Sequence, residues 1–300
     1  MNSTSPVQAF SAPGLRDKAA LGTPDRSIGA ILIKTGKLSV ADAEEVMRVS
    51  VERNMRFGDA ALEMGKVTQG DIDLALSRQY DYPYLLRGES PISEHVVAAY
   101  EPFTARVESL RALRNQLMWR WFETGADRRA LAVCGAGHGD GRSFLTANLA
   151  VVFSQQGQRT LVIDADMRHP SQHTLFGLEN RAGLSAVLSG RAGTETIQRA
   201  TGLLDLSVLT AGAMPPNPSE LLGRPVFGQL LRELSTQYDV ILIDTPASAD
   251  VSDAQMAAGR AGAAVVVTRQ NHSSAAAVHD LAAMLSEARV HIVGTVLNDY

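Results

Sequence analysis

From position 130 onward, short apolar runs alternate with longer amphipathic stretches. Ala130 to Cys134, Thr160 to Asp164, Leu206 to Leu209, Val240 to Asp244, Ala263 to Thr268 and His291 to Leu297 are apolar and mostly β-branched, which predicts buried strands. Helical patterns separate them; Leu145, Leu149 and Val152 form the inner side of one. Apolar strands that alternate with helices predict an α/β domain, a mainly parallel sheet covered by helices on both faces. Ahead of it, Tyr100 to Phe122 reads as a helix with Val107, Leu110, Leu113 and Leu117 on one face.

The N-terminal part has a different rhythm. Residues 1–24 are rich in Ser, Pro, Ala and Gly and read as a mobile tail. An internal repeat follows, IGAILIKTGKLSVADAEEVM from Ile28 and FGDAALEMGKVTQGDIDLAL from Phe57. Gly29 aligns with Gly58, Gly36 with Gly65, Lys37 with Lys66, Ser39 with Thr68 and Asp42 with Asp71. Each copy predicts a short helix, a glycine C-cap and a Ser/Thr N-cap with an acid three residues on. Two copies make a small helical domain over 25–90. Gly88 to Pro91 reads as a linker, and 91–300 as the α/β domain.

Composition narrows the class. Apolar residues make up 45% of the 300 and charged ones 20%, a globular balance with room for two domains. A formal net charge of −4 argues against a nucleic-acid partner. The single cysteine, Cys134, excludes an intrachain disulfide framework and fits a reducing compartment. No apolar run approaches the roughly 20 residues that cross a bilayer, and no basic-then-apolar signal opens the chain. The expected location is cytoplasmic, peripheral to the inner membrane through a partner.

The chemistry concentrates after the first strand. It runs into Ala136, Gly137, His138, Gly139, Asp140, Gly141, Arg142 and Ser143, with a helix from there on. A glycine-rich turn between strand and helix lets backbone N–H groups close around phosphate oxygens, and the helix N-terminus adds partial positive charge. Gly137 through Phe144 are therefore candidate nucleotide contacts, and Ser143 stands where a hydroxyl ligand of Mg²⁺ is expected. The first glycine of the usual motif is Ala136, and its lysine is Arg142, which keeps the charge in a longer, forked form. Asp164 and Asp166 end one strand, one residue apart, and Asp244 ends another after four apolar residues. Carboxylates at the carboxyl edge of a parallel sheet face the phosphate crevice, where they hold Mg²⁺ or position an attacking hydroxyl.

These residues resemble the bacterial tyrosine kinases of exopolysaccharide assembly, within the wider MinD- and ParA-like P-loop ATPases. IDADMRHP from Ile163 is similar to that family's second Walker motif, Asp244 to its Walker B aspartate, and Ala211 to Leu222 to its G-x-x-P-P-N-P-x-E-L-L segment. The glycine-arginine-serine form of the loop resembles the EpsG-type chain-length determinant kinases. The resemblance covers about Tyr100 to Tyr300. It implies ATP and Mg²⁺ as cofactors, with Ser143, Asp166 and Asp244 at the metal and Arg142 on the phosphates. It also implies that Asp164 positions the nucleophile and that Asn298 borders the adenine. Glu108, Arg111 and Arg114 have the spacing with which those kinases join into a homo-oligomeric ring. A separate transmembrane chain-length regulator is the implied partner.

Where those kinases end in a tyrosine cluster, this sequence has the single Tyr300. That feature and Arg142 favour a second reading, a nucleotide-gated assembly module without kinase activity; a MinD/ParA-type ATPase is a third. The N-terminal repeat resembles the MshE-type domain of secretion ATPases, some of which bind cyclic di-GMP. Arg56, Gly58 and Gly29 are the candidate contacts, and a plain protein-docking module is the alternative.

Overall fold

A computed structural model describes residues 27–79, 84–125, 127–248 and 252–299. The tail expected over 1–24 and Tyr300 lie outside the described residues. The chain divides into two compact units between positions 81 and 82. Residues 84–90, read from sequence as the end of the helical domain, thus belong to the second unit. There Leu85 N–H donates to the Ala99 carbonyl at 2.7 Å, and Arg87 pairs with Glu94 and Glu101.

The first unit contains α1 (Ile28–Lys34), α2 (Val40–Glu52), α3 (Phe57–Glu63) and α4 (Gln69–Gln79). The repeat is visible as two helix pairs that exchange partners, α1 packing on α4 and α2 on α3. Gly36 and Gly65 take φ of +70° and +64°, the left-handed conformation that ends α1 and α3. The next residues, Lys37 and Lys66, donate their N–H groups back to Leu32 and Ala61. The caps are those the sequence predicts. Ser39 Oγ accepts from Asp42 N–H, and Thr68 with Asp71 forms a reciprocal capping box. The aligned lysines then cross over between the copies. Lys66 pairs with Asp42 at 2.6 Å, and Lys37 with Asp71 at 3.2 Å. Lys66 holds the Asp42 carboxyl below its ordinary range, with the Ser39 hydroxyl adding to the effect.

The second unit opens with α5 (Val97–Tyr100) and α6 (Ala105–Leu117), whose last turn widens into a π-helical turn over Met118–Phe122. Strands β1 (Ala130–Gly135), β2 (Thr160–Asp164), β3 (Gln198–Arg199), β4 (Leu206–Leu209), β5 (Val240–Asp244), β6 (Ala263–Arg269) and β7 (His291–Asn298) form one sheet in the order β3-β4-β2-β5-β1-β6-β7. All pairings are parallel except that of β3 with β4. Each predicted strand is present, and only the two-residue β3 escapes the apolar pattern. The helices are α7 (Arg142–Ser154), α8 (Gln172–Phe176), α9 (Leu184–Leu188), α10 (Pro218–Gly223), α11 (Pro225–Leu234), α12 (Asp253–Ala261) and α13 (Ala275–Glu287).

Strand alternation sorts the core into two layers. Leu131, Val133, Val162, Val240 and Leu242 face α6 and α7, with Phe122 set edge-on to Phe153 at 5.4 Å. Ala132, Cys134, Leu161, Ile163, Ile241 and Ile243 face α9 to α13. The predicted face of α6 is the buried one, with Val107, Leu110 and Leu117 closed off. Because β1, β2 and β5 are parallel neighbours, their carboxyl ends open on one edge, and that edge carries the candidate chemistry.

Candidate functional site

The loop between β1 and α7 is built by glycines where the backbone must reverse. Gly139 and Gly141 take φ of +75° and +97°, and Gly141 is the N-cap of α7. Asp140, fully buried, ties the loop from inside. Its Oδ2 accepts Gly137 N–H at 2.8 Å and its Oδ1 accepts the Ser273 hydroxyl at 2.7 Å. The segment after β6 braces the outside. Arg269 Nη1 lies 3.4 Å from the Gly139 carbonyl, and His272 Nε2 lies 2.8 Å from that of His138. The His138 ring stands edge-on to His169, 5.9 Å between centroids.

Arg142 is buried, and its guanidinium binds main chain. Nε donates to the Thr245 carbonyl at 3.0 Å and Nη1 to the Gly137 carbonyl. The side chain assigned from sequence to the phosphates thus clamps the loop to the end of β5. The forked group can do this because it offers several donors in one plane.

The three aspartates converge as expected, but with different environments. Asp164 and Asp244 are register partners at the ends of β2 and β5, and both are fully buried. Asp164 is closed to a substrate. Oδ1 accepts Asp166 N–H at 3.1 Å, and Oδ2 accepts the N–H groups of Ser171 and Gln172 at 3.0 Å each. Its geometry is that of a residue holding the turn into α8, not of one positioning a nucleophile. Burial pushes its carboxyl well above the ordinary range, the neighbouring Asp244 charge pushes the same way, and the Gln172 and Ser171 N–H groups oppose them. Asp166 is the more open of the pair. Its Oδ1 accepts Arg168 and His169 N–H groups, while Oδ2 makes no hydrogen bond among the described residues.

Gln172, which no sequence motif flagged, joins these parts. Its Nε2 donates to Asp244 Oδ2 at 2.7 Å and to the Ser143 carbonyl at 3.1 Å. That leaves Asp244 Oδ1 buried without a hydrogen-bond partner. Burial raises the Asp244 carboxyl to about 6, against the Gln172 amide, the nearby Ser143 hydroxyl and the Arg142 charge. A buried carboxylate oxygen with no donor, beside the Ser143 side chain, fits a hydrated divalent cation. Among the described residues no group of three His, Cys, Asp or Glu is arranged to hold a metal alone. That suits an ion taking most of its ligands from phosphate and water.

The Ala211–Leu222 segment reaches the same edge. Ser219 bonds to Asp253 at the start of α12, and Arg168 Nε donates to Asp253 Oδ2 at 2.8 Å. Asn298 Nδ2 donates to the Asp140 carbonyl at 3.2 Å. Asn298 also lines a cavity of about 530 Å³ beside the loop, with Arg106, Leu110, Phe144, Leu145 and Thr295. The candidate interface residues divide. Glu108 is exposed and pairs with Arg111, whereas Arg114 Nη1 donates to the Val152 carbonyl at the end of α7. In the first unit Arg56 is exposed at the N-cap of α3. Gly58 is buried and Gly29 partly so. A Cβ would meet Ile72 at 3.6 Å and Phe57 at 3.2 Å, respectively.

The ParA family profile, described as NUBPL iron-transfer P-loop NTPase, matches residues 127–299. The tyrosine-protein kinase YwqD of Bacillus subtilis (strain 168) is 34% identical over 209 residues, covering 70% of this chain and 87% of that one. Etk of Escherichia coli (strain K12) is 36% identical over 202 residues, 67% of this chain but only 28% of Etk. The solved kinase domain of Escherichia coli tyrosine kinase ETK superposes with a TM-score of 0.66 at 34% identity, covering 73% of this chain and 85% of that one. The family profile begins at residue 127, beyond the N-terminal helical unit.

Proposed function

We infer the function from membership: this chain belongs to the bacterial tyrosine kinases within the ParA-like P-loop NTPases, and we propose that it transfers the γ-phosphoryl group of ATP to a protein tyrosine. The observation that carries the reading is one edge holding the loop Gly137–Ser143 against Asp166 and Asp244. Backbone N–H groups of the loop would cradle the phosphates, with Arg142 adding charge behind them. Phe144 and Asn298, which share a cavity with Leu110, would border the base. Mg²⁺ would be held through the Ser143 hydroxyl and Asp244, with Asp166 close by; when bound it supplies charge neutralisation of the phosphate oxygens. Asp166, through its open Oδ2, would orient the tyrosine hydroxyl, the task first assigned to Asp164.

By the same resemblance, the product of the activity is control of exopolysaccharide chain length and export. The protein would act as a ring joined through the α6 surface around Glu108 and Arg111, docked on a separate transmembrane regulator at the inner membrane. The N-terminal unit would be a protein-docking module. Gly29 and Gly58 support that reading over cyclic di-GMP binding, since both fill helix contacts and only Arg56 is exposed.

One observation favours a second reading, an assembly switch without protein phosphorylation. The Arg142 guanidinium binds two carbonyls instead of standing free to follow a transferring phosphate. Purified protein with γ-labelled ATP and Mg²⁺, and Asp244→Asn as control, separates the two. Label on tyrosine that is lost in the variant supports the kinase. Free phosphate with no labelled protein supports the switch.

A further inference from the structure

We infer a second binding site, for a dianionic phosphate group, at the edge of the sheet opposite the nucleotide loop. It does not rest on the nucleotide reading. The residues that lead into β1 meet α11 and α12 around a cavity of about 510 Å³. Six residues of extended β1, roughly 20 Å, separate this edge from the loop.

Three guanidiniums line the cavity, Arg129, Arg232 and Arg260, against one carboxylate, Asp127. Such an excess stands out in a chain of formal net charge −4. The Arg232 guanidinium makes no hydrogen bond or ion pair among the described residues, while its main-chain carbonyl accepts the Ser235 hydroxyl. Arg129 and Arg260 reach only main-chain carbonyls, those of Asp239 and Gly223. None of the three forms an ion pair among the described residues; the Asp239 carboxylate, held by Arg159, feels the Arg129 charge from further off.

The floor is made of glycines set within helices. Gly228 lies in α11 and Gly259 in α12, positions where a helix selects against glycine. Packing does not demand glycine at 259, because a Cβ there would meet nothing within 4 Å. At Gly228 a Cβ would lie 3.6 Å from Arg232 Nη1 and 3.7 Å from Arg260 Cδ. Both arginines therefore lean over Gly228, and the space at Gly259 is open.

Guanidinium forks match phosphate oxygens in pairs, and two or more of them suit a double negative charge better than a single carboxylate. Leu231 and Ala261 add an apolar wall, and Ser235 a hydroxyl. That combination accepts a phosphate ester with an apolar body. The phosphate can come from a free metabolite or from a phosphorylated tyrosine side chain.

The test is calorimetric titration of phenyl phosphate into the full chain, with Mg²⁺ and a non-hydrolysable ATP analogue present to fill the nucleotide loop. Arg232→Ala and Arg260→Ala should each weaken binding at least tenfold, and Gly259→Leu should abolish it by filling the floor. Inorganic phosphate that binds as tightly as phenyl phosphate identifies a free phosphate as the source. A phosphotyrosyl peptide that binds tenfold more tightly than inorganic phosphate, with its unphosphorylated form silent, identifies the side chain. Absence of phenyl phosphate binding, or binding that survives the Arg232→Ala/Arg260→Ala double variant, overturns the proposal. Failure of the nucleotide reading shows separately, as no heat on adding the ATP analogue.

Discussion

The side-chain amide of Gln172 donates to Asp244 Oδ2 at 2.7 Å and so decides which oxygen of that aspartate stays open. The same nitrogen reaches the Ser143 carbonyl, and the Gln172 backbone N–H is held by Asp164. One residue thus fixes α8 to the phosphate loop and to two strand ends.

Gln172→Leu keeps the volume and removes the donor, leaving a buried carboxylate oxygen unpaired. Unfolding in denaturant should show a loss of about 1–3 kcal/mol at neutral pH. Turnover should fall at least tenfold with the Mg²⁺ requirement shifted upward. A variant with wild-type Mg²⁺ dependence would mean that the amide does not orient Asp244.

Asp244→Asn should abolish turnover and yet raise the thermal midpoint of the nucleotide-free protein at pH 8. The folded-state carboxyl is raised from 3.8 to about 6, so the native state holds its proton more tightly than the unfolded chain does. The penalty of a buried charge is absent below the unfolded value, grows between the two values and is complete above the folded one, on the order of 3 kcal/mol. The midpoints of variant and wild type should therefore converge as pH is lowered toward 4. A constant difference across that range would show that Asp244 is not raised in the folded protein.

Arg142→Lys replaces a two-pronged clamp by a single ammonium that cannot hold the Gly137 and Thr245 carbonyls together. The expected result is a less stable nucleotide-free protein, by about 1 kcal/mol, with faster turnover of γ-labelled ATP. Slower turnover would place the guanidinium itself on the transferring phosphate.

Cys134 is the next-to-last residue of β1, with its thiol pushed up to about 12, chiefly by burial. It should be inert to thiol reagents at pH 8 in the native protein and titrate fully in denaturant. Reaction at the same rate in both conditions would contradict the packing of β1.

In the first unit, Gly58→Leu should unfold the module, because Ile72 already sits at van der Waals distance from a Cβ at that site. Lys66→Ala should leave its thermal midpoint almost unchanged, since the pair with Asp42 is solvated. Circular dichroism of the two variants distinguishes the packing role from the surface one.

The strands, the helix faces and the repeat were legible along the chain because each is a local pattern. Six apolar runs became six strands, and the face Val107, Leu110, Leu117 became the buried side of α6. Ser39 and Thr68 capped their helices, since a cap needs only its next three residues. The loop Gly137–Ser143 and the strand-end aspartates were also legible, as spacing and residue type define them. What the sequence could not rank was the aspartates. Asp164 and Asp166 differ by one residue, yet one is sealed by three N–H groups and the other keeps an oxygen open, because the turn into α8 folds over only the first. Nor could it find Gln172, Ser273 or Arg129, which reach their partners from 29 to more than 100 positions away. Those contacts exist only once parallel strands bring distant ends to one edge, and an edge has no signature in a linear pattern.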